Sequence, residues 1–177
     1  MKHPILTTLT LIAFAGCSQQ PQPPALSLQE AAVRGDLAAI QQHVTARSDL
    51  DAREPTDGST PLIAAAAFGQ TAAAKALIEA GADVNLANND GSTALHTAAF
   101  LCRAEIVKAL LAAGADREIR NQAGSTALES VEFPFEAVKP VYDLVGAALG
   151  PLGLKLDYER IQAARPEIAA LLKGEQP

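Results

Sequence analysis

The feature that most constrains this chain is a near-copy of one segment placed 33 residues further along. Asp57-Gly58-Ser59-Thr60-Pro61-Leu62 returns as Asp90-Gly91-Ser92-Thr93-Ala94-Leu95, and Gly81-Ala82-Asp83-Val84 returns as Gly114-Ala115-Asp116-Arg117. A fixed period of this size marks stacked supersecondary units, because each unit leaves an apolar flank that only its neighbour can cover. Tryptophan is absent and alanine is abundant, which suits short helices whose backbones approach closely.

The residue types within the period have physical reasons. Thr60, Thr93 and Thr126 stand where a helix N-cap hydroxyl satisfies an orphan backbone N–H. Pro61 suits the first helical position, where its missing donor costs nothing. Leu62, Ala65 and Ala66, with Leu95, Ala98 and Ala99, form the i, i+3, i+4 stripe of a first short helix. Gly69 lets the chain turn back with positive φ. Ala73, Ala76 and Leu77, with Ile106, Leu110 and Leu111, form the buried stripe of a second, antiparallel helix. Gly81 and Gly114 are expected to end it in left-handed geometry. Residues 83–91 and 116–124 then read as hairpin-like loops with strong turn chemistry, including Asn89-Asp90-Gly91.

A weaker unit precedes these. Leu28 to Leu37 aligns with Leu62 to Thr71 at an offset of 34, lacks the Thr-Pro start, and carries more polar residues, as an end unit facing water requires. A fourth unit starts at Gly124-Ser125-Thr126-Ala127-Leu128 and then departs. Pro166 to Leu172 matches the second helix of a repeat, Asp157 to Arg165 reads as completing the preceding helix with Asp157 as its cap, and 132–156 reads as an insertion. That insertion carries an apolar helix, about Val138 to Leu149, between Pro134 and Pro151. Two readings stand for it: a cap that buries the last open face, or a partner-binding groove formed by Phe133, Phe135, Val141, Tyr142, Leu144 and Val145.

These units resemble the ankyrin repeat family over about residues 26–131, with a divergent end to about 173. The resemblance implies an all-α ankyrin-repeat solenoid of helix-turn-helix units with hairpin-like loops and a divergent C-terminal helical cap. The repeat domain spans 26–173, with units at about 26–56, 57–89, 90–122 and 123–173, the last interrupted at 132–156. The resemblance also implies a binding surface on the concave side, built from loop tips and late positions of the first helices. Here those positions include Arg34, Ala67, Phe68, Phe100 and Leu101, with Arg53, Glu54, Asn89, Asp90, Ser92, Arg120 and Gln122 on the loops. Phe68, Phe100 and Leu101 are large apolar groups where the pattern expects exposure, a hot-spot signature; the rival expectation is that the insertion folds back over them.

The chain start reads separately. Residues 1–16 combine basic Lys2, an apolar run from Ile5 to Ala15, and small Ala15 and Gly16, the layout of a signal peptide too short to span a bilayer. Phe14-Ala15-Gly16-Cys17 resembles a bacterial lipobox, which implies cleavage before Cys17 and lipid attachment there; a plain secretory signal is the alternative. Residues 17–25 then form a proline-rich tether. Ser18 after the cysteine resembles an outer-membrane sorting signal, so the expected address is the cell envelope, lipid-anchored on the periplasmic face of the outer membrane. Without residues 1–16 the chain has 13 basic and 20 acidic residues, a net charge near −7. That acidity argues against nucleic acid as a partner and against attraction to an anionic bilayer.

Chemistry is sparse. His96 sits where a histidine is expected to bond neighbouring loop backbone, and His43 is expected in solvent. No serine has a nucleophile-elbow context, and no Cys/His spacing suits a metal. Cys102 stands where the preceding unit has Gly69 and is read either as a tolerated substitution or as a redox-sensitive thiol. The expected function is a monomeric, non-catalytic, lipid-anchored scaffold with an unidentified protein partner and no cofactor. The alternatives are an inhibitor or immunity-type lipoprotein blocking an exported toxic enzyme, or an enzyme or small-molecule binder using the insertion.

Overall fold

A computed structural model describes residues 26–175; the signal segment, Cys17 and the tether lie outside the described residues. The described chain is helical: α1 (Leu28–Arg34), α2 (Leu37–Thr45), α3 (Pro61–Phe68), α4 (Thr71–Glu79), α5 (Ala94–Phe100), α6 (Ala104–Ala112), α7 (Ala127–Glu132), α8 (Phe135–Leu149), a 3₁₀ turn (Gly150–Leu152) and α9 (Tyr158–Lys173). The first helices α1, α3, α5 and α7 pack in series, and so do the second helices α2, α4, α6 and α9. Unit four is therefore α7 with α9, and α8 is inserted between its halves.

The helix starts follow from single hydroxyl and carboxylate groups. Thr60, Thr93 and Thr126 each accept the N–H three residues on, and Pro61 opens α3. In the end unit Ser27 and Asp36 do the same work. Gly69 adopts φ 69°, and Cys102, its counterpart, adopts φ 53°, so the same turn is made with a side chain in the left-handed region.

Leu28, Leu62 and Leu95 are buried in one continuous interior, and Leu128 packs half-buried against its end. Successive loops are tied by a hydrogen-bond ladder. The Asp83 N–H donates to the Asp51 carboxylate at 3.0 Å, and the Asp116 N–H to the Asn85 side-chain oxygen at 2.8 Å. At the loop tips Asn89 N–H donates to Asp57 O and Gln122 N–H to Asp90 O, both at 2.8 Å.

A second ladder joins the helix layers. Gln70 and Arg103 occupy equivalent positions just before α4 and α6, and each donates to the preceding unit's first helix: Gln70 to Val33 O at 2.9 Å, Arg103 to Ala67 O at 3.3 Å. The equivalent carbonyl in unit three is Phe100 O. There the donor is the Tyr142 hydroxyl from the insertion, at 2.6 Å. Arg165, the counterpart of Gln70 and Arg103, donates instead to Tyr142 Oη at 3.1 Å and to Ser130 O and Phe133 O. Those carbonyls are the orphan acceptors at the end of α7, where a buried guanidinium is favoured.

Two expectations change. Asp157 does cap a helix, but α9 runs unbroken through Pro166 instead of forming two helices meeting there. A proline inside a helix costs about 3 kcal/mol. Here the extra turns are held by buried Ile161, whose carbonyl receives the Cys102 thiol at 3.5 Å, and by Arg160, which donates to Cys102 O at 3.5 Å. The inserted helix also starts earlier than expected, at Phe135, with Pro140 inside it.

Candidate functional site

The first-helix face is open at one end and covered at the other. Helix α8 lies over unit three: the Tyr142 ring stacks on Phe100 with centroids 4.0 Å apart and planes 12° from parallel. Phe135 and Tyr158 complete the aromatic group, at 5.6 and 6.3 Å from Tyr142. Tyr142 is wholly buried. Burial pushes its hydroxyl up to about 12, although the Arg165 charge acts in the opposite direction. The hydroxyl therefore stays protonated and keeps donating to Phe100 O.

This cover corrects the sequence expectation for part of the surface. Leu101 is 2% exposed and Ala67 is also buried, so neither presents a side chain to solvent. Phe100 is half-buried beneath Tyr142. Phe100 is covered because the stripe of α8 that would face water in a free helix faces the repeat stack instead. Phe135, Val138, Tyr142, Val145 and Leu149 recur at helical spacing and all pack on the core.

Unit two keeps its open face. Phe68 is half-buried and borders a groove of about 450 Å³ between α1, α3, the 54–59 loop and the end of α8. Val33, Ile63, Phe68, Leu149 and Leu152 line it with apolar surface, and Glu30, Glu54 and Asp57 bring acid to its rim. Gln29, also in the lining, holds a buried side-chain oxygen with no hydrogen-bond partner.

The other expected residues divide by what already holds them. Arg53, Asn89, Asp90 and Gln122 are exposed at the loop tips, although Asn89 O accepts from the Gln122 side chain at 2.7 Å. Ser92 is half-buried, its N–H donating to Asn88 Oδ1. Arg34 pairs with Glu30, and Arg120 forms a two-pronged pair with Glu129 at 2.7 and 3.0 Å. Both cations sit on the surface, but their donors are engaged.

Among the described residues the buried and half-buried histidines and the cysteine are held by structural contacts. His96 Nε2 donates to Ser125 O at 3.1 Å and its Nδ1 accepts the Thr93 N–H at 3.3 Å, so the ring pins one loop to the next. Burial lowers its pKa, which favours this neutral form. His43 is not in open solvent: it is half-buried, with Nε2 2.8 Å from Leu26 O and Nδ1 2.9 Å from Ser48 Oγ. It clamps the chain entering α1. The Cys102 thiol is buried, and burial raises its pKa despite three nearby arginines. Among the described residues no cluster of metal-ligating side chains occurs.

A family model described as ankyrin repeats (3 copies) matches residues 28–121. Among solved structures, this chain is similar to the ankyrin repeat domain of Bcl-3, described as a unique member of the IkappaB protein family. The two are 29% identical with a TM-score of 0.56, and the match covers 59% of this chain and 46% of that one. The chain thus spans less than half of that structure. No curated protein matches the chain.

Proposed function

We infer the function from one premise: the chain belongs to the ankyrin repeat family, whose repeats form a protein–protein interaction scaffold. The finer reading is our own. The scaffold is non-catalytic, is held in the cell envelope by lipid on Cys17, and takes its partner in the groove between α1 and α3. The observation that carries it is that α8 covers the first-helix face at Phe100 while leaving a groove lined by Phe68 and Val33 open. Apolar floor and acidic rim suit a partner segment that combines apolar and basic side chains. Arg53, Asn89 and Asp90 extend the contact along the loop tips.

The test is capture from detergent-solubilised membranes, with mass spectrometry of what is retained. Val33→Ala with Phe68→Ala should lose the partner while helical content and melting temperature change little, because both side chains are only partly buried. Unchanged capture overturns the groove assignment. For the anchor, Cys17→Ser should release the protein from the membrane fraction, and continued membrane association of that variant overturns the lipid reading.

A further inference from the structure

Among the described residues five large apolar side chains are exposed, and four lie in or beside the insertion: Phe133 at 49%, Val141 at 48%, Leu144 at 69% and Leu152 at 61%. They are not scattered. Ala137, Val141, Leu144, Ala148 and Leu152 recur at i, i+4, i+7, i+11 and i+15 along α8 and its 3₁₀ turn, and all are exposed. Pro140, Ala147 and Pro151 widen the same stripe. No ionisable residue interrupts it. The charged edge of α8 lies to one side, where Lys139 and Asp143 pair at 3.0 Å. Helix α8 is thus apolar on two faces, one spent on the repeat stack and one unpartnered. A surface helix in water shows one such face, and a continuous exposed stripe marks a contact surface.

The chain outside the described residues indicates what the stripe meets. Residues 18–25 separate Cys17 from Leu26, the first described residue, nine steps that reach at most about 30 Å at roughly 3.3 Å per residue. The described chain begins beside the groove that Ser27 and Gln29 share with Leu149 and Leu152, which is the C-terminal end of the stripe. The point where the described chain starts and the C-terminal end of the stripe therefore lie at the same groove, within reach of a lipid on Cys17. We propose that the outer stripe of α8 docks on the surface of the bilayer that holds the Cys17 lipid, so that the repeat domain rests on the membrane in a fixed orientation. At 15 residues α8 is too short to cross a bilayer, and its apolar face suits shallow burial at the headgroup boundary. The chain is acidic overall, so the docking is driven by apolar area and favours a zwitterionic surface. This inference rests on the lipid anchor proposed above.

The chain lacks tryptophan, so L144W introduces a single indole reporter at an exposed site. In a Cys102→Gly background, the chain from Cys17 onward is coupled through a maleimide lipid to phosphatidylcholine vesicles, with or without brominated acyl chains. Docking predicts blue-shifted emission and loss of most of it in brominated vesicles. Adding Val141→Glu and Ala148→Glu should restore the emission without lowering the melting temperature. Equal emission in both vesicle types, from protein that still floats with them, overturns the proposal. A dimer in sedimentation that these two glutamates dissociate, without bromine quenching, also overturns it and assigns the stripe to a second copy. Because the lipid is supplied chemically, failure here is distinct from failure of the anchor reading, which the Cys17→Ser fractionation in cells decides alone.

Discussion

Replacing Tyr142 by Phe isolates the contact that fastens the insertion to the repeats. The ring remains, so stacking on Phe100 at 4.0 Å is kept. The hydroxyl goes, and with it the 2.6 Å bond to Phe100 O and the acceptor for Arg165 at 3.1 Å. Phe100 O is then left without a donor, because the nearby Cys102 thiol, 3.9 Å away, gives its one proton to Ile161 O at 3.5 Å. A buried polar group deprived of its partner costs about 1–3 kcal/mol. For a domain of this size each kcal/mol moves the melting temperature by about 2–4 °C, so a loss near 2 kcal/mol predicts a drop of about 4–8 °C in thermal denaturation followed by circular dichroism. Tyr142→Ala removes the ring as well, and truncation of a buried aromatic costs about 3–5 kcal/mol. It should also expose α8 to limited proteolysis while the remaining repeats stay helical. A Tyr142→Phe melting temperature indistinguishable from wild type would refute the claim that this hydroxyl replaces the inter-repeat donor supplied elsewhere by Gln70 and Arg103. So would a drop as large as that of Tyr142→Ala, since ring and hydroxyl would then not act separately.

The same hydroxyl predicts an alkaline limit. Its folded pKa of about 12 lies above the ordinary 10.0, so the folded state holds the proton longer than the unfolded one. Stability from this group is full below pH 10 and falls as pH rises toward 12; phenolate absorbance should show no tyrosine titrating normally, because Tyr158, which donates to Asp143, is raised as well. Cys102 should resist thiol reagents in the native Cys17→Ser chain and react on adding urea, since it is 4% exposed; rapid native reaction would mean that α9 opens readily. Asn85→Ala removes the acceptor for the Asp116 N–H and should cost about 1 kcal/mol by urea denaturation, the net worth of one such bond; no change in midpoint would show that the loop ladder is inert. Gly69→Ala forces a Cβ into a left-handed position 2.9 Å from the Arg103 side chain and should destabilise by at least about 1 kcal/mol.

The sequence by itself determined the repeat architecture, because its signals are local and recur. Thr60, Thr93 and Thr126 cap helices, Gly69 takes positive φ, and His96 bridges loops through interactions among neighbours in sequence or at one repeat spacing. Such contacts depend on residue type and separation alone, and both can be read from a period. Only the tertiary structure decided where the insertion goes. An apolar stripe says that a face will be covered but not by what, and α8 carries two such stripes. The choice falls to Tyr142, whose hydroxyl completes a buried network with Phe100 O and Arg165 across 42 and 23 residues of chain. That choice stacked Phe100 under the insertion, left the groove beside Phe68 open, and turned Leu144 outward. Shape complementarity between segments far apart in the chain has no period to betray it.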